Sequence, residues 1–580
     1  MNIPRPEHPK PQFERENWLN LNGKWQFEID NGRSGEARGL ANADAVLKDE
    51  ILVPFCPESE LSGIGNKDFM YGVWYKRTVN LTEEQCAGRI VLHFGAVDYK
   101  AKVFVNGKKV GEHKGGYISF CFDITDFVTI GENVITLFAE DDTRDFSIPS
   151  GKQSNHYDSH GCYYTRTTGI WQTVWLEFTP KSYIKSVKFY PDYKKGEVTV
   201  FADLIGEGNF TANVSYEGKA MAEFCEPYAE GKIKFTLTLD EIHLWEIGCG
   251  RLYDVAFTFG EDAVKSYFGL RNVELKGQKF LLNGKSVFQR TVLDQGFYPD
   301  GIYTAPTDKA LKNDILLSLA CGFNGARPHE KIFEERYFYH ADKLGYLTWG
   351  EYPDWLLNAN VPENIYSILP EWLEEIERDF NHPSIIGWCP RNEVWSRAYG
   401  NSGYAEPYRQ SIALLYDVTK AVDPTRPCID TSGGFHAKTD IYDVHDYAQD
   451  PQIFNDRYGK ITDGIMTEHP FNKNQIPYSG GPVFLSEYGG IAWFDRCDEA
   501  NDRQKAWGYG NGPKTEEEFI KRFTLLTEAL MKNPGLMGLC YTQLTDVEQE
   551  KNGLYTYDRK SKFDPEIFKK VLSQKAAIED

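Results

Sequence analysis

The period of the hydrophobic pattern changes once along this chain, near residue 276. Before that point short β-rich runs recur at 23–29, 73–79, 89–94, 101–105, 133–138 and 172–178, separated by Gly and Asn turns, with Asn106-Gly107 marking a hairpin. Runs of this length and spacing predict a β-sandwich. Pro180 closes it, and alternating strands resume at 198–201, 234–239 and 253–259, enough for a second sandwich of immunoglobulin size. Beyond residue 276 uninterrupted apolar runs alternate with stretches of helical period, the pattern of a parallel sheet covered by helices. Eight such runs, at 287–293, 323–327, 346–350, 385–389, 427–431, 442–445, 483–486 and 537–541, predict a (β/α)8 barrel. Thr307-Asp308 reads as the start of one intervening helix and Gly322 as its stop. The expected fold class is multidomain β plus α/β: an N-terminal jelly-roll β-sandwich over 1–180, an immunoglobulin-like β-sandwich over 181–275, and a barrel over 276–580.

Composition narrows the function classes. With 580 residues the chain is too long for one core. A formal charge of −21, from 64 basic and 85 acidic side chains, argues against nucleic acid or an anionic membrane as partner, because both would be repelled. Aromatic residues reach 14%, which suits large sandwich cores or platforms for sugar rings. The N-terminal residues show no apolar leader pattern and no run of about 18 apolar residues occurs, so a cytoplasmic protein is expected. The 11 cysteines include no CxxC, and free thiols without zinc or disulfides are expected. His156, His160 and Cys162 cluster in a polar loop without a fourth ligand nearby, so no metal or other cofactor is expected.

Two apolar runs end in glutamate. Glu393 closes Ile385-Ile-Gly-Trp-Cys-Pro-Arg-Asn-Glu393, and Glu487 closes Pro482-Val-Phe-Leu-Ser-Glu487. In a parallel barrel the C-terminal strand edge holds the active site, so both carboxylates face one cavity. Glycosidic bond cleavage requires such a pair, one to donate a proton and one to meet the positive charge that develops at the anomeric carbon.

The surrounding motifs carry a resemblance. Asn392-Glu393 after the fourth strand and a glutamate after the seventh are joined by Trp18-Leu-Asn-Leu-Asn-Gly-Lys-Trp25, Gly169-Ile-Trp-Gln-Thr-Val-Trp175, Phe268-Gly-Leu-Arg-Asn-Val273, Gly322-Phe-Asn-Gly-Ala-Arg327, Asn381-His-Pro-Ser384 and Ser486-Glu-Tyr-Gly489. In this order the chain resembles glycoside hydrolase family 2, which contains β-galactosidases, β-glucuronidases and β-mannosidases, over nearly its whole length. The resemblance implies a sugar-binding-type first sandwich, Glu487 as nucleophile and Glu393 as general acid/base. It also implies that Asn392 bonds the sugar 2-hydroxyl, that Arg327 holds Glu487 ionised, and that Tyr447 touches the nucleophile. His445 is a candidate sugar ligand, as are Asp294 at the end of the first strand and Trp395 in a mouth loop. Trp355, Trp493 and Trp507 lie in similar loops, and two of these four tryptophans are expected to stack on sugar. The chain departs from the family in Arg327-Pro-His-Glu330, where the family histidine falls on Glu330 and His329 is displaced by one, and in Tyr541, which stands where a tryptophan platform is usual.

Family β-glucuronidases carry an Asn-x-Lys motif beyond the nucleophile, and none follows Glu487 here. A neutral terminal sugar is therefore favoured; the resemblance puts a β-galactoside first, ahead of β-mannoside, β-glucoside, β-glucuronide or arabinoside, and implies release from an oligo- or polysaccharide by an exo-acting retaining enzyme. A carbohydrate-binding protein that has lost catalysis is the competing class; it would not need both glutamates. A homo-oligomer built through the sandwiches is compatible with the family.

Overall fold

The computed structural model describes residues 3–395, 407–467, 474–493 and 506–579. In the first sandwich a six-stranded sheet runs, in spatial order, Asp49–Val53, Gly23–Ile29, Val73–Leu81, Gly131–Glu140, Lys100–Val105 and Lys108–Lys114. It faces a four-stranded sheet of Trp18–Asn20, Val174–Thr179, Arg89–Phe94 and Phe120–Asp123. Trp25, Phe27, Tyr75, Val103, Leu137 and Leu176 fill the space between them. The pairing of Leu137 with both Tyr75 and Val103 fixes the register, since a slip of one residue would turn this apolar set outward.

The second sandwich joins a three-stranded sheet (Tyr183–Asp192, Glu197–Ile205, Gly231–Thr238) to a four-stranded one (Lys219–Tyr228, Gly208–Tyr216, Tyr253–Phe259, Asp262–Phe268). In Gly231–Thr238 Ile233, Phe235 and Leu237 are buried while the lysines and threonines between them face water, the period-two pattern of a sheet with one wet face.

Seven parallel strands form the sheet of the barrel: Ile385–Cys389, Leu347–Glu351, Gly325–Pro328, Gln289–Asp294, Leu536–Thr542, Val483–Gly489 and Tyr442–Asp446. Every residue of these strands is buried except Val444, which is half-buried, as helices outside and side chains inside demand. The helix Asp308–Ala320 begins where Thr307 accepts the Ala310 N–H at 3.2 Å and ends before Gly322, as the sequence predicts. The expected strand at 427–431 is reduced to two parallel bridges, Trp388 to Cys428 and Asn392 to Ser432. Its own side chains explain the loss. Asp430 accepts the backbone N–H groups of Thr431, Ala437 and Lys438, competing with a ladder, and Pro427 has no N–H to give. On its other side this segment reaches the strand Tyr442–Asp446 through Ser432 Oγ to Asp443 Oδ2 at 3.0 Å, so side chains complete the ring. No described helix is long and apolar enough to cross a membrane.

Arg15 clamps the two sandwiches. Its Nε and Nη2 donate to the carboxylate of Asp262 at 2.8 and 2.9 Å, and its Nη1 stands 3.0 Å from Glu177 Oε2. Burial pushes the Glu177 carboxyl up, but His93 and Arg15 outweigh it and hold it down to about 2. A carboxyl depressed in the folded state contributes stability that is complete above the ordinary carboxylate range and is lost as pH falls from about 4.5 toward 2. Arg15→Ala leaves the buried Asp262 carboxylate without its cation and Glu177 with His93 alone. We expect it to lower resistance to urea at pH 7 by about 3 kcal/mol and to flatten the acid dependence below pH 4.5. Unchanged unfolding curves would show that the clamp carries no stability.

Candidate active site

Strand ends of the barrel bring the chemistry together around one guanidinium. Arg327, in the strand Gly325–Pro328, is 2% exposed. It donates from Nη1 to Glu487 Oε1 at 2.8 Å, from Nη2 to Asn392 Oδ1 at 2.6 Å and from Nε to Glu351 Oε2 at 2.5 Å. Glu351, at the end of the third strand, takes a second bond from His329 Nδ1 at 2.7 Å. The other oxygen of Glu487 accepts the Tyr447 hydroxyl, which also lies 3.2 Å from Thr542 Oγ1. Each oxygen of Glu487 is thus fixed by one strong donor.

Glu393 reaches the same point from the segment after Ile385–Cys389. Its backbone is left-handed, with φ of 50°, and its N–H is held by the Ser432 carbonyl at 2.8 Å. A non-glycine residue in that region costs roughly 1–2 kcal/mol, which the bridge between Asn392 and Ser432 helps to offset. His445 sits between the two acids, with Nδ1 2.9 Å from Glu393 Oε1 and 3.5 Å from Glu487 Oε2, and Nε2 3.0 Å from Ser432 Oγ. Gly433, at φ of 59°, lets the ring come this close: a Cβ there would stand 2.1 Å from it. One oxygen of each carboxylate and a ring nitrogen of His445 lie within 4.8 Å of one another. These are the only described side chains grouped closely enough to chelate a metal ion. Arg327, Tyr447 and His445 already occupy both acids with hydrogen bonds, so the trio is a hydrogen-bonded charge cluster.

Electrostatics divide the roles. Burial raises the Glu487 carboxyl, but His445 and Arg327, together with Lys152, more than reverse this and hold it down to about 2, so it is ionised at neutral pH. Burial lowers the His445 imidazolium, and the negative field of Glu487 with the hydrogen bond to Glu393 raises it above its ordinary value. His329 is pushed well down by burial and by the neighbouring Lys152 and Arg327, and stays neutral. Asn392 Nδ2 is buried and, among the described residues, has no partner; it is a free donor next to Glu393. A cavity of about 810 Å³ opens over Glu393 and Glu487, and a second of about 370 Å³ adjoins it on the Glu393 side, sharing Trp355 and Trp395.

Comparison with known proteins gives the family. Residues 65–178 match the model of the sugar binding domain of glycosyl hydrolases family 2, and residues 273–491 match that of the family's TIM barrel domain. The chain belongs to glycoside hydrolase family 2. It is 24% identical to a β-glucuronidase of Streptococcus agalactiae over 96% of both chains, and 28% identical to a β-galactosidase of Thermoanaerobacter pseudethanolicus over 56% of this chain and 45% of that one. The chain spans about half the length of some curated relatives and nearly all of others. In fold it matches a β-glucuronidase structure from Ruminococcus gnavus with a TM-score of 0.79, at 18% identity over 99% of this chain and all of that one.

Within this family 2 chain Glu393, Glu487, Arg327, Asn392, His445, Tyr447 and His329 converge on the cavity system, and Trp355 and Trp395 line it. Trp493 instead packs against Phe519 and Phe563, and Trp507 lies edge-on to Tyr509. Two expected ligands are not on the wall. Tyr541 points outward, edge-on to Tyr488 and Phe523, because the strand's alternation brings Thr542 to the cavity in its place. Asp294 turns into the loop, where Oδ1 accepts the Gly296 N–H at 3.0 Å, and its neighbours Leu293 and Gln295 line the cavity. Glu330 takes no direct part in the cluster; its Oε2 accepts the Trp355 N–H at 3.1 Å. Sequence reasoning missed Glu351 and Ser432, and also Tyr509, Glu550 and Lys152, which line the larger cavity. Glu351 carried a usable signal, since it too ends an apolar run, Leu347-Thr-Trp-Gly-Glu351. The other four stand in polar or loop segments whose meeting no local pattern announces.

Arg327→Met removes one of the positive charges that hold Glu487 ionised. A depressed carboxylate freed of that charge titrates higher, so the acidic limb of kcat/KM on a cleavable nitrophenyl glycoside is expected to rise by about one pH unit or more. An unmoved limb would show that Arg327 does not set the charge of Glu487.

Proposed function

We propose that the protein is a retaining β-glycosidase that removes a terminal sugar by double displacement. The closeness of the two acids carries this reading. Retaining enzymes hold their carboxyl groups about 5–5.5 Å apart, whereas inverting enzymes need about 6.5–9.5 Å to seat a water between base and sugar. Oxygens of Glu393 and Glu487 within 4.8 Å of each other suit the first class.

Each step follows from what the residues already contact. An oxygen of ionised Glu487, held in place by Arg327 or Tyr447, attacks the anomeric carbon. The bond to the aglycone breaks, and its oxygen leaves with the proton of Glu393. Water then enters on the same face and gives a proton to Glu393. Its oxygen bonds the anomeric carbon and releases Glu487 as carboxylate. His445, bonded to Glu393 and near Glu487, keeps the two acids in register through both steps. Asn392 Nδ2 offers its free N–H to the sugar 2-hydroxyl, an interaction that strengthens as charge develops at the anomeric carbon. Trp355 and Trp395, in the smaller cavity beside Glu393, suit the leaving group.

The neutral-sugar expectation rested on one missing motif beyond Glu487, and the choice of β-galactoside within it on family resemblance. Relatives named β-glucuronidase and β-galactosidase both stand beside this chain, so a panel of β-nitrophenyl glycosides spanning neutral and acidic sugars assigns the sugar. On the best substrate Glu487→Gln is expected to lose turnover by a factor of about 10⁴ or more for every leaving group. Glu393→Ala is expected to spare the first step with dinitrophenol as leaving group and to yield a β-glycosyl azide when azide is added. Equal losses for both variants on all leaving groups would contradict these roles, and inversion at the anomeric carbon by NMR would overturn the mechanism.

A further inference from the structure

The wall over Glu487 is not made by the barrel alone. Lys152 and Cys162 come from the first sandwich, in the connection between Gly131–Glu140 and Gly169–Ile170, and line the same cavity as the two acids. Lys152 is 6% exposed, and its Nζ stands 3.4 Å from the centre of the Trp355 ring. Among the described residues none accepts a hydrogen bond from this ammonium or places a carboxylate oxygen within 4.0 Å of it. The other basic side chains described on the cavity wall are engaged. Arg457 is bound to Asp446, His436 to Asp430, His445 to Glu393 and His329 to Glu351, at 2.6 to 2.9 Å.

A buried amine would shed its proton unless negative charge opposed it. Here burial lowers the Lys152 ammonium, but the surrounding negative field, in which Glu393, Glu487 and Glu550 take part, outweighs burial and raises it, so it stays charged. Those glutamates have other duties: two form the reacting pair, and Glu550 accepts the Tyr164 hydroxyl and the Asn552 amide. Lys152 is therefore a charge held in the substrate's space that rests on the Trp355 face and has no hydrogen-bond acceptor or close carboxylate among the described residues. A neutral sugar filling the cavity would strip water from it and return nothing, whereas an anionic substituent would pair with it in a dry site.

We propose that Lys152 is a specificity-determining residue that pairs with the carboxylate of a terminal hexuronic acid, so that the preferred substrates are β-hexuronides. This rests on the glycosidase reading and deepens it. The face of Trp355 holds the ammonium itself by a cation–π contact, which fixes the charge where an approaching carboxylate can add to it.

The test compares wild type, Lys152→Gln and Lys152→Arg on nitrophenyl β-glucuronide, β-galacturonide, β-galactoside and β-glucoside. Calorimetry of D-glucuronate and D-galactose binding to Glu487→Gln, with and without Lys152→Gln, accompanies it. Wild type is expected to favour a uronide. Lys152→Gln should lower the uronide-to-galactoside ratio of kcat/KM by about 100-fold, mainly through KM, while Lys152→Arg keeps the uronide first and serves as the folding control. Loss of D-glucuronate binding with Lys152→Gln supports the proposal even if no glycoside is turned over, a result that would sink the glycosidase reading instead. A wild-type preference for neutral glycosides, or an equal fall on all four substrates with Lys152→Gln, would overturn it; the second result would make Lys152 a counter-charge to the cavity acids.

Discussion

One buried guanidinium organises the reactive end of the barrel. Arg327 touches Glu487, Asn392 and Glu351 with three different nitrogens, and these partners come from three other strand ends. Without it, two carboxylates would be buried near each other with no fixed positive charge between them. A lysine could not replace it, since an ammonium is a single point of charge and the site needs a rigid fork whose directions match separate acceptors. With His445 it keeps Glu487 ionised, and it occupies the amide oxygen of Asn392, leaving Nδ2 without a partner among the described residues.

The second carboxylate depends on backbone more than on charge. Glu393 adopts a left-handed turn because Asn392 and Ser432 are bridged, and Ser432 is where the chain gives up a regular strand. The polar run Asp430-Thr431-Ser432 spends its hydrogen bonds on its own loop and on Asp443. This irregular segment then leaves room for the His445 ring against Gly433. A complete eighth ladder would have made a more regular barrel with less room for the histidine that links the two acids.

The large divisions of the fold were legible because they depend on period. Alternating runs before residue 276 and continuous apolar runs after it follow from one wet face in the sandwiches and two dry faces in the barrel. The two acids were legible for a related reason: each closes a dry strand where the barrel opens. Sequence was weaker where a single residue of parity decides the face, as at Tyr541 and Thr542, or where a side chain can bond its own turn, as Asp294 does with Gly296. It was silent on Lys152, whose neighbours in space belong to another domain. The period of a strand says which way it faces, but nothing in a loop says what it will meet.

The passage of the 141–168 connection over the barrel mouth also couples occupancy to architecture. Any molecule that touches Lys152 and Glu487 together bridges the first sandwich and the barrel, so its binding free energy adds to whatever holds the two units in contact. A filled site thereby acts as a brace between domains. Thermal melts at rising inhibitor concentration would then raise the temperature at which those domains come apart before changing how each one unfolds within itself.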